Sequence, residues 1–296
     1  MSELINEYLG RLKAALSGAD PATIQDALCD AEEHLWTALE LAREEKPGIQ
    51  DSEAVRAEIE RYGSPEEVAS AYLRIGPRFG ASVGVRGASA GRSATNRFFG
   101  VFTDPTAYGA LFYMFFSMIT GIFYFTWAVS GLSLAAGLIV LIIGLPFLGI
   151  FLLSVRGIAH VEGRIIEALL GVRMPRRPIF ARKGLSWSGR LSALVRDPMT
   201  WKNILYMVLM LPLGIIYFTV TFVSLVLSFW GMLRPVLEYG FDLPYAQIDN
   251  VAYFTTEWMM PVVMATGVLW LFVTMHMARG LGRMHARMAR SLLVRD

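Results

Sequence analysis

A single cysteine in 296 residues excludes an internal disulfide framework. Cys29 sits on a helical pattern, where it reads as a small apolar core residue in a reducing compartment. Charged residues are also few, at 18% against 54% hydrophobic, which excludes an ordinary soluble domain. Catalytic motifs are missing: there is no P-loop, GxSxG, HExxH or dinucleotide fingerprint. No kinase catalytic set and no DNA-reading helix-turn-helix is present. The expectation is therefore a protein that is not an enzyme, holds no cofactor or metal, and does not bind nucleic acid directly. Met1-Ser2-Glu3-Leu4 has neither a basic n-region nor an apolar h-region. No cleavable signal is expected, and insertion falls to internal segments.

What the chain does have is long uncharged apolar runs. Four of them, near 107–130, 132–155, 203–230 and 259–278, match the roughly 20 residues that a helix needs to cross a bilayer. None carries Asp, Glu, Lys or Arg in its middle, which argues against an ion-coupled transporter. The flanking charge is asymmetric. Residues 1–73 hold sixteen acids against six Lys/Arg, and the remainder holds nine against twenty-one. Ten basic residues fall between Arg156 and Lys202 and five from Arg279 onward, but only Arg234 lies in the 231–257 loop. By the positive-inside rule both termini and the central segment face the cytoplasm, and 231–257 is an outer loop. Trp127, Trp201, Trp230 and Trp258 fall near the predicted boundaries, as an aromatic belt requires.

A phrase occurs twice, 93 residues apart. Asp104-Pro105-Thr106-Ala107-Tyr108, then Tyr113-Met114 and Gly121, recurs as Asp197-Pro198-Met199-Thr200-Trp201, then Tyr206-Met207 and Gly214. The exits match as well, now 123 residues apart: Arg156-Gly157, Arg164 and Leu169-Leu170 against Arg279-Gly280, Arg287 and Leu292-Leu293. Two copies of one membrane hairpin are expected, the second enlarged by about 30 residues between its helices. The first copy is expected to turn at Ser130-Gly131. Pro146, Pro212 and Pro261 fall inside spans, where each is expected to kink its helix.

Residues 1–75 read as a small helical bundle. Ile5, Leu9, Leu12 and Leu16 space one stripe, and Ile24, Leu28, Ala31, Leu35 and Leu39 another. Asp20-Pro21 supplies a cap and a first-turn proline, and Ser64-Pro65-Glu66-Glu67 a capping box. Residues 76–97, rich in Gly, Ala and Ser, read as a flexible linker, and 98–296 as the membrane part. Two further stripes are amphipathic, Ile158/Val161/Ile165/Leu169 and Trp187/Leu191/Leu194/Val195. Their neighbours Arg164, Arg176, Arg177, Arg190 and Arg287 are candidates for contact with anionic lipid or with the acidic head. The fold class is all-α: a cytoplasmic helical bundle plus four transmembrane helices arranged as two repeated hairpins.

Tyr8-Leu9, Asp30-Ala31-Glu32-Glu33-His34-Leu35 and Arg61-Tyr62-Gly63-Ser64-Pro65-Glu66-Glu67-Val68-Ala69 together resemble the HAAS module, a helical signalling domain of bacterial membrane proteins often encoded beside PadR-type transcription factors. The repeated Asp-Pro entry, Leu211-Pro212-Leu213-Gly214 and the Arg-Gly exit resemble the "putative sensor" membrane domain. In that family the domain precedes histidine-kinase cores; here no such core follows before Asp296. The resemblances imply a bacterial inner-membrane regulator that relays an envelope or lipid-phase signal to a cytoplasmic protein, with a PadR-type regulator as first candidate. Asp30, Glu33, His34, Glu66 and Glu67 would form the docking face. Tyr239, Phe241, Asp242, Tyr245, Asp249 and Tyr253 would form the sensing loop. Other partners are the bilayer and, as an open alternative, a second copy of the chain. The competing function is a small permease or an accessory subunit of an exporter, which polar residues such as Ser117, Thr120, Thr219 and Thr221 would serve.

Overall fold

Helices begin where the capping signals stand in the computed structural model, which describes residues 2–46, 50–80, 98–140, 143–176 and 187–294. The head consists of α1 (Ser2–Ala15), α2 (Pro21–Glu45), α3 (Asp51–Tyr62) and α4 (Pro65–Gly80). Asp20 accepts the Ala22 N–H at 2.9 Å at the start of α2. Ahead of α4 the capping box closes both ways, Ser64 N–H onto Glu67 at 3.0 Å and Glu67 N–H onto Ser64 Oγ at 3.2 Å. Gly63 ends α3 at φ +107°, a conformation that strains side-chain-bearing residues.

Tyr8 and Leu12 of α1, with Leu16 just after it, pack with Ala27, Ala31, Leu35 and Leu39 of α2, Val55 of α3 and Ala69 of α4. Burying each large aliphatic side chain stabilises the head by about 1.5–3 kcal/mol. Ile5, Leu12 and Leu16 of one expected stripe and Ala31, Leu35 and Leu39 of the other are buried; Leu9, Ile24 and Leu28 are half-buried, and Tyr8 and Ala27 join the core. The Tyr8 hydroxyl donates to the Gly63 carbonyl at 2.9 Å. Burial first, and then neighbouring Tyr62 and Glu66, push its pKa up to about 12, so it stays a donor at physiological pH.

Four further helices are long and apolar enough to cross a membrane: α5 (Pro105–Leu138), α6 (Gly144–Leu170), α8 (Pro198–Pro235) and α9 (Met260–Leu293). The short α7 (Trp187–Arg196) buries Leu191 and Leu194. Apart from one small hairpin, β1 (Ala246–Ile248) antiparallel to β2 (Val251–Tyr253), the described structure is helical. Asp249 and Asn250 join the strands with φ of 49° and 62°, the left-handed pair that a two-residue hairpin turn demands.

The chain divides into two compact units. One comprises Met1–Arg86, Ala128–Met207 and Arg287–Asp296, the other Gly87–Trp127 and Val208–Ala286. Within the first unit, α5 runs through Ser130-Gly131 to Leu138, which corrects the expected turn position. Gly131 serves close packing instead, since a Cβ there would meet the Phe151 ring at 2.2 Å. Within the second unit, Gly121 and Gly214 bring α5 and α8 together. A Cβ on Gly121 would lie 2.4 Å from the Met210 carbonyl oxygen, and one on Gly214 2.4 Å from that of Ser117.

Pro146 and Pro261 lie in the first turns of α6 and α9, where proline breaks no intrahelical bond. The expected kinks there are corrected; Pro212 and Pro235 are inside α8. Helix α4 extends to Gly80, so the start of the expected 76–97 linker is helical; residues 81–97 lie outside the described residues.

Candidate functional site at the base of the head

The second half of α6 buries two of its charged residues, Arg156 and Glu162. Arg156, Ala159, Glu162, Gly163 and Ile166 are buried, while Val161 of the expected apolar stripe is exposed. Arg156 donates to Asp197 at 2.7 Å and to Thr200 Oγ1 at 2.9 Å. Asp197 is fixed by its own task, because it accepts the Met199 N–H at 3.0 Å and so caps α8. Six residues further along α6, Glu162 is fully buried and accepts the Tyr206 hydroxyl at 2.9 Å. A buried charge needs such partners, since leaving it bare costs several kcal/mol.

The head rests on this region, in the same unit. Asp26 on α2 is only 6% exposed and accepts the Arg176 backbone N–H at 2.7 Å, with the Arg173 guanidinium 3.9 Å away. Asp20 uses one oxygen to cap α2 and the other to accept Arg290 near the end of α9, at 2.5 Å. A cavity of about 50 Å³ lies beneath, lined by Gln25, Arg156, His160, Asp197, Asn203 and Leu293 among others. The buried Asn203 Oδ1 has no hydrogen-bond partner among the described residues. With Arg156 and Asp197 neutralising each other, this is a polar joint in which head, central segment and tail meet. No group of three or more His, Cys, Asp or Glu suited to a metal ion occurs among the described residues.

The second unit makes related contacts at sequence-matched positions. Arg279 pairs with Asp104 at 2.8 Å, and Asp104 caps α5 through the Thr106 N–H at 3.0 Å. Tyr113 and His285 Nε2 lie 2.6 Å apart, both fully buried. The offsets align Tyr113 with Tyr206 and His285 with Glu162. They also align Ala110 with Asn203 and Ala286 with Gly163, two residues that line the cavity. Glu162 and His285 carry no motif of their own. Tyr206 lies in the repeated phrase itself; for Glu162 and His285 the one sequence signal is the 123-residue offset, carried six residues past Arg156.

The expected docking residues make contacts inside the head. Asp30 accepts the Tyr72 hydroxyl. His34 stacks on Tyr62 at 4.5 Å and lies 3.7 Å from Glu58. Glu66 is 3.3 Å from Arg11, Glu67 belongs to the capping box, and Glu33 is exposed. Of the expected arginines, Arg176 is at the head contact, Arg164 pairs with Glu167, and Arg190 and Arg287 are exposed. Arg177 lies outside the described residues. Trp201, also of the repeated phrase, donates to the Val195 carbonyl at 2.8 Å.

In the 236–257 segment, Tyr239, Phe241, Tyr245 and Tyr253 are exposed, and Asp242 and Asp249 occupy left-handed turns. Beneath them Arg234, 1% exposed, donates to Glu238 at 2.5 Å and to Thr255 Oγ1 at 3.1 Å. Glu238 in turn accepts the Thr255 N–H at 2.8 Å. This buried pair, four residues apart on one helix face, ties the end of the segment back to its beginning.

No curated protein matches the chain. No solved structure matches it either. Residues 7–71, the capped helical head, match the HAAS family. Residues 113–293, more than half of the chain and including Arg156, Asp197 and Arg279, match the family described as Putative sensor. The chain belongs to the Putative sensor family, with a HAAS domain at its N-terminus.

Proposed function

We propose that this is a non-enzymatic bacterial inner-membrane sensor or regulator. In this reading both termini and the central segment are cytoplasmic, and the two hairpins are copies of one membrane unit. The HAAS head is the output element: it stays on the membrane body in one state and releases a surface to a cytoplasmic protein in the other. A PadR-type regulator is the first candidate, on resemblance alone. The observation that carries the reading is the Asp26 contact, a buried carboxylate held by the Arg176 N–H and flanked by Arg173. A head that only decorated the chain would not need to bury a charge on it. Asp20 and Arg290 add a second tie, to the end of the last helix. Any shift of that helix is thereby felt by the head.

The test is photocrosslinking from Glu33 in living cells, in wild type and in a Asp20→Ala/Asp26→Ala double variant. Wild type should crosslink chiefly to itself until stimulated, while the variant should capture its cytoplasmic partner without stimulus. Identical crosslinks in both would sink the switch.

A permease is the second reading, favoured by one observation. The Tyr217 and Thr221 hydroxyls are buried in the second unit without a hydrogen-bond partner among the described residues. Against it, the Ser117 and Thr120 hydroxyls donate to carbonyls of their own helix, and Thr219 is exposed. Solute flux into proteoliposomes that depends on Thr221 would decide for transport.

A further inference from the structure

The hairpin at 246–253 has one apolar face that is largely exposed, with the Tyr253 ring 6.3 Å from that of Tyr245. Its register pairs Ile248 with Val251 and Ala246 with Tyr253, so these four side chains point to one side. Gln247 and Ala252 point to the other. Ile248, Val251 and Tyr253 are 59%, 53% and 42% exposed. A two-stranded hairpin is marginal by itself in water, and an exposed Ile-Val-Tyr face makes it more so.

Three observations identify the cover. First, the hairpin is held at the end of the long apolar helices. The Arg234–Glu238–Thr255 network clamps the exit of β2 to the end of α8, and the Leu243 N–H donates to the Leu237 carbonyl at 3.0 Å. Three residues of strand reach only about 10 Å from such a clamp. Second, the exposed apolar surface is continuous in sequence with that of the helices. It runs from Trp230, Leu233 and Val236 through Tyr239 and Phe241, and from Phe254 through Trp258 into Val262. Third, the segment has no lysine and its one arginine is buried, so its exposed charges are Asp242, Asp249 and Glu257. Aromatic and aliphatic side chains without cations suit insertion at the headgroup–acyl boundary; they do not suit electrostatic capture of an anionic partner.

We propose that the hairpin lies in the membrane interface, with Ile248, Val251 and Tyr253 facing the acyl chains and Asp249 at the turn facing water. The partner is the lipid surface itself. The inference rests on α8 and α9 as membrane spans and is independent of signal relay by the head. A segment so placed reads lateral packing at the interface, because its burial depends on how readily the boundary admits two β-branched side chains.

Spin-label accessibility in the full chain tests this. In a Cys29→Ala background, single nitroxides at Ile248→Cys, Val251→Cys, Gln247→Cys and Asp249→Cys are compared in phosphatidylcholine/phosphatidylglycerol vesicles. At 248 and 251, collisions with oxygen should exceed those with a water-soluble nickel complex several-fold; at 247 and 249 the order should reverse. Nickel access at 248 and 251 equal to that at 249 would overturn the proposal. Exclusion of both reagents there, with spin–spin broadening that disappears on dilution with unlabelled chain, would also overturn it in favour of a second copy. Because 248 and 251 report the same face separately, failure of one variant to insert leaves the other decisive.

Discussion

The Tyr206 hydroxyl donates to the Glu162 carboxylate at 2.9 Å, and both groups are buried. At the matched positions, Tyr113 faces His285 at 2.6 Å. One tyrosine pattern thus receives an acid in one unit and an imidazole in the other. Tyr206→Phe removes a bond to a buried acid and should destabilise the protein by about 1–3 kcal/mol. Thermal unfolding in detergent measures it, and Glu162→Gln combined with Tyr206→Phe should recover part of the loss.

The two Arg–Asp pairs should differ in weight. Arg156 and Asp197 expose 8% and 14% of their side chains, against 25% and 20% for Arg279 and Asp104. Arg156→Ala leaves a buried carboxylate, at a cost of about 3–5 kcal/mol. Arg279→Ala should cost less, about 1–3 kcal/mol, because water screens that pair. An equal drop in Tm for the two variants would contradict this ranking.

Gly121→Leu and Gly214→Leu should each destabilise by about 1–3 kcal/mol or more, since the obstacle in both cases is backbone and cannot swing aside. Gly137→Leu, where nothing lies within 4 Å of the added Cβ, is the control. The fraction of each variant surviving size-exclusion chromatography in detergent gives the comparison.

In the head, the hydrogen bond from Arg43 holds the Asp51 carboxyl below its ordinary 3.8. A depressed carboxyl contributes stability that is present above pH 3.8 and lost as pH falls through its lower folded value. Asp51→Asn should therefore lower Tm slightly at neutral pH and not at all at strongly acidic pH. The pair is exposed, so the neutral-pH effect is small.

Much of this architecture was legible because its causes are local. Asp20-Pro21 and Ser64-Pro65-Glu66-Glu67 start helices through bonds two or three residues long, and uncharged runs mark spans by composition. The turn after α5 was missed because Ser130-Gly131 carries the usual turn residues, while the helix ends at Leu138 and turns at the apolar pair Ile139-Val140. The β-hairpin was missed because its strands are three residues each, too short for alternation to register. The head contact was legible only from one side. Arg176 was among the arginines expected to meet lipid or the acidic head, but its partner Asp26 lies 150 residues away and carries no motif. Gly157 and Gly280, equally prominent in the repeated exits, have nothing within 4 Å of an added Cβ, and the structure gives no reason for them.

The crossed pairing of Arg156 with Asp197 and Arg279 with Asp104 has a consequence for biogenesis. Asp104 caps α5, yet its cation is translated 175 residues later. Until then that helix start carries an unmatched carboxylate. A chain cut short before Arg279 keeps that carboxylate without its cation.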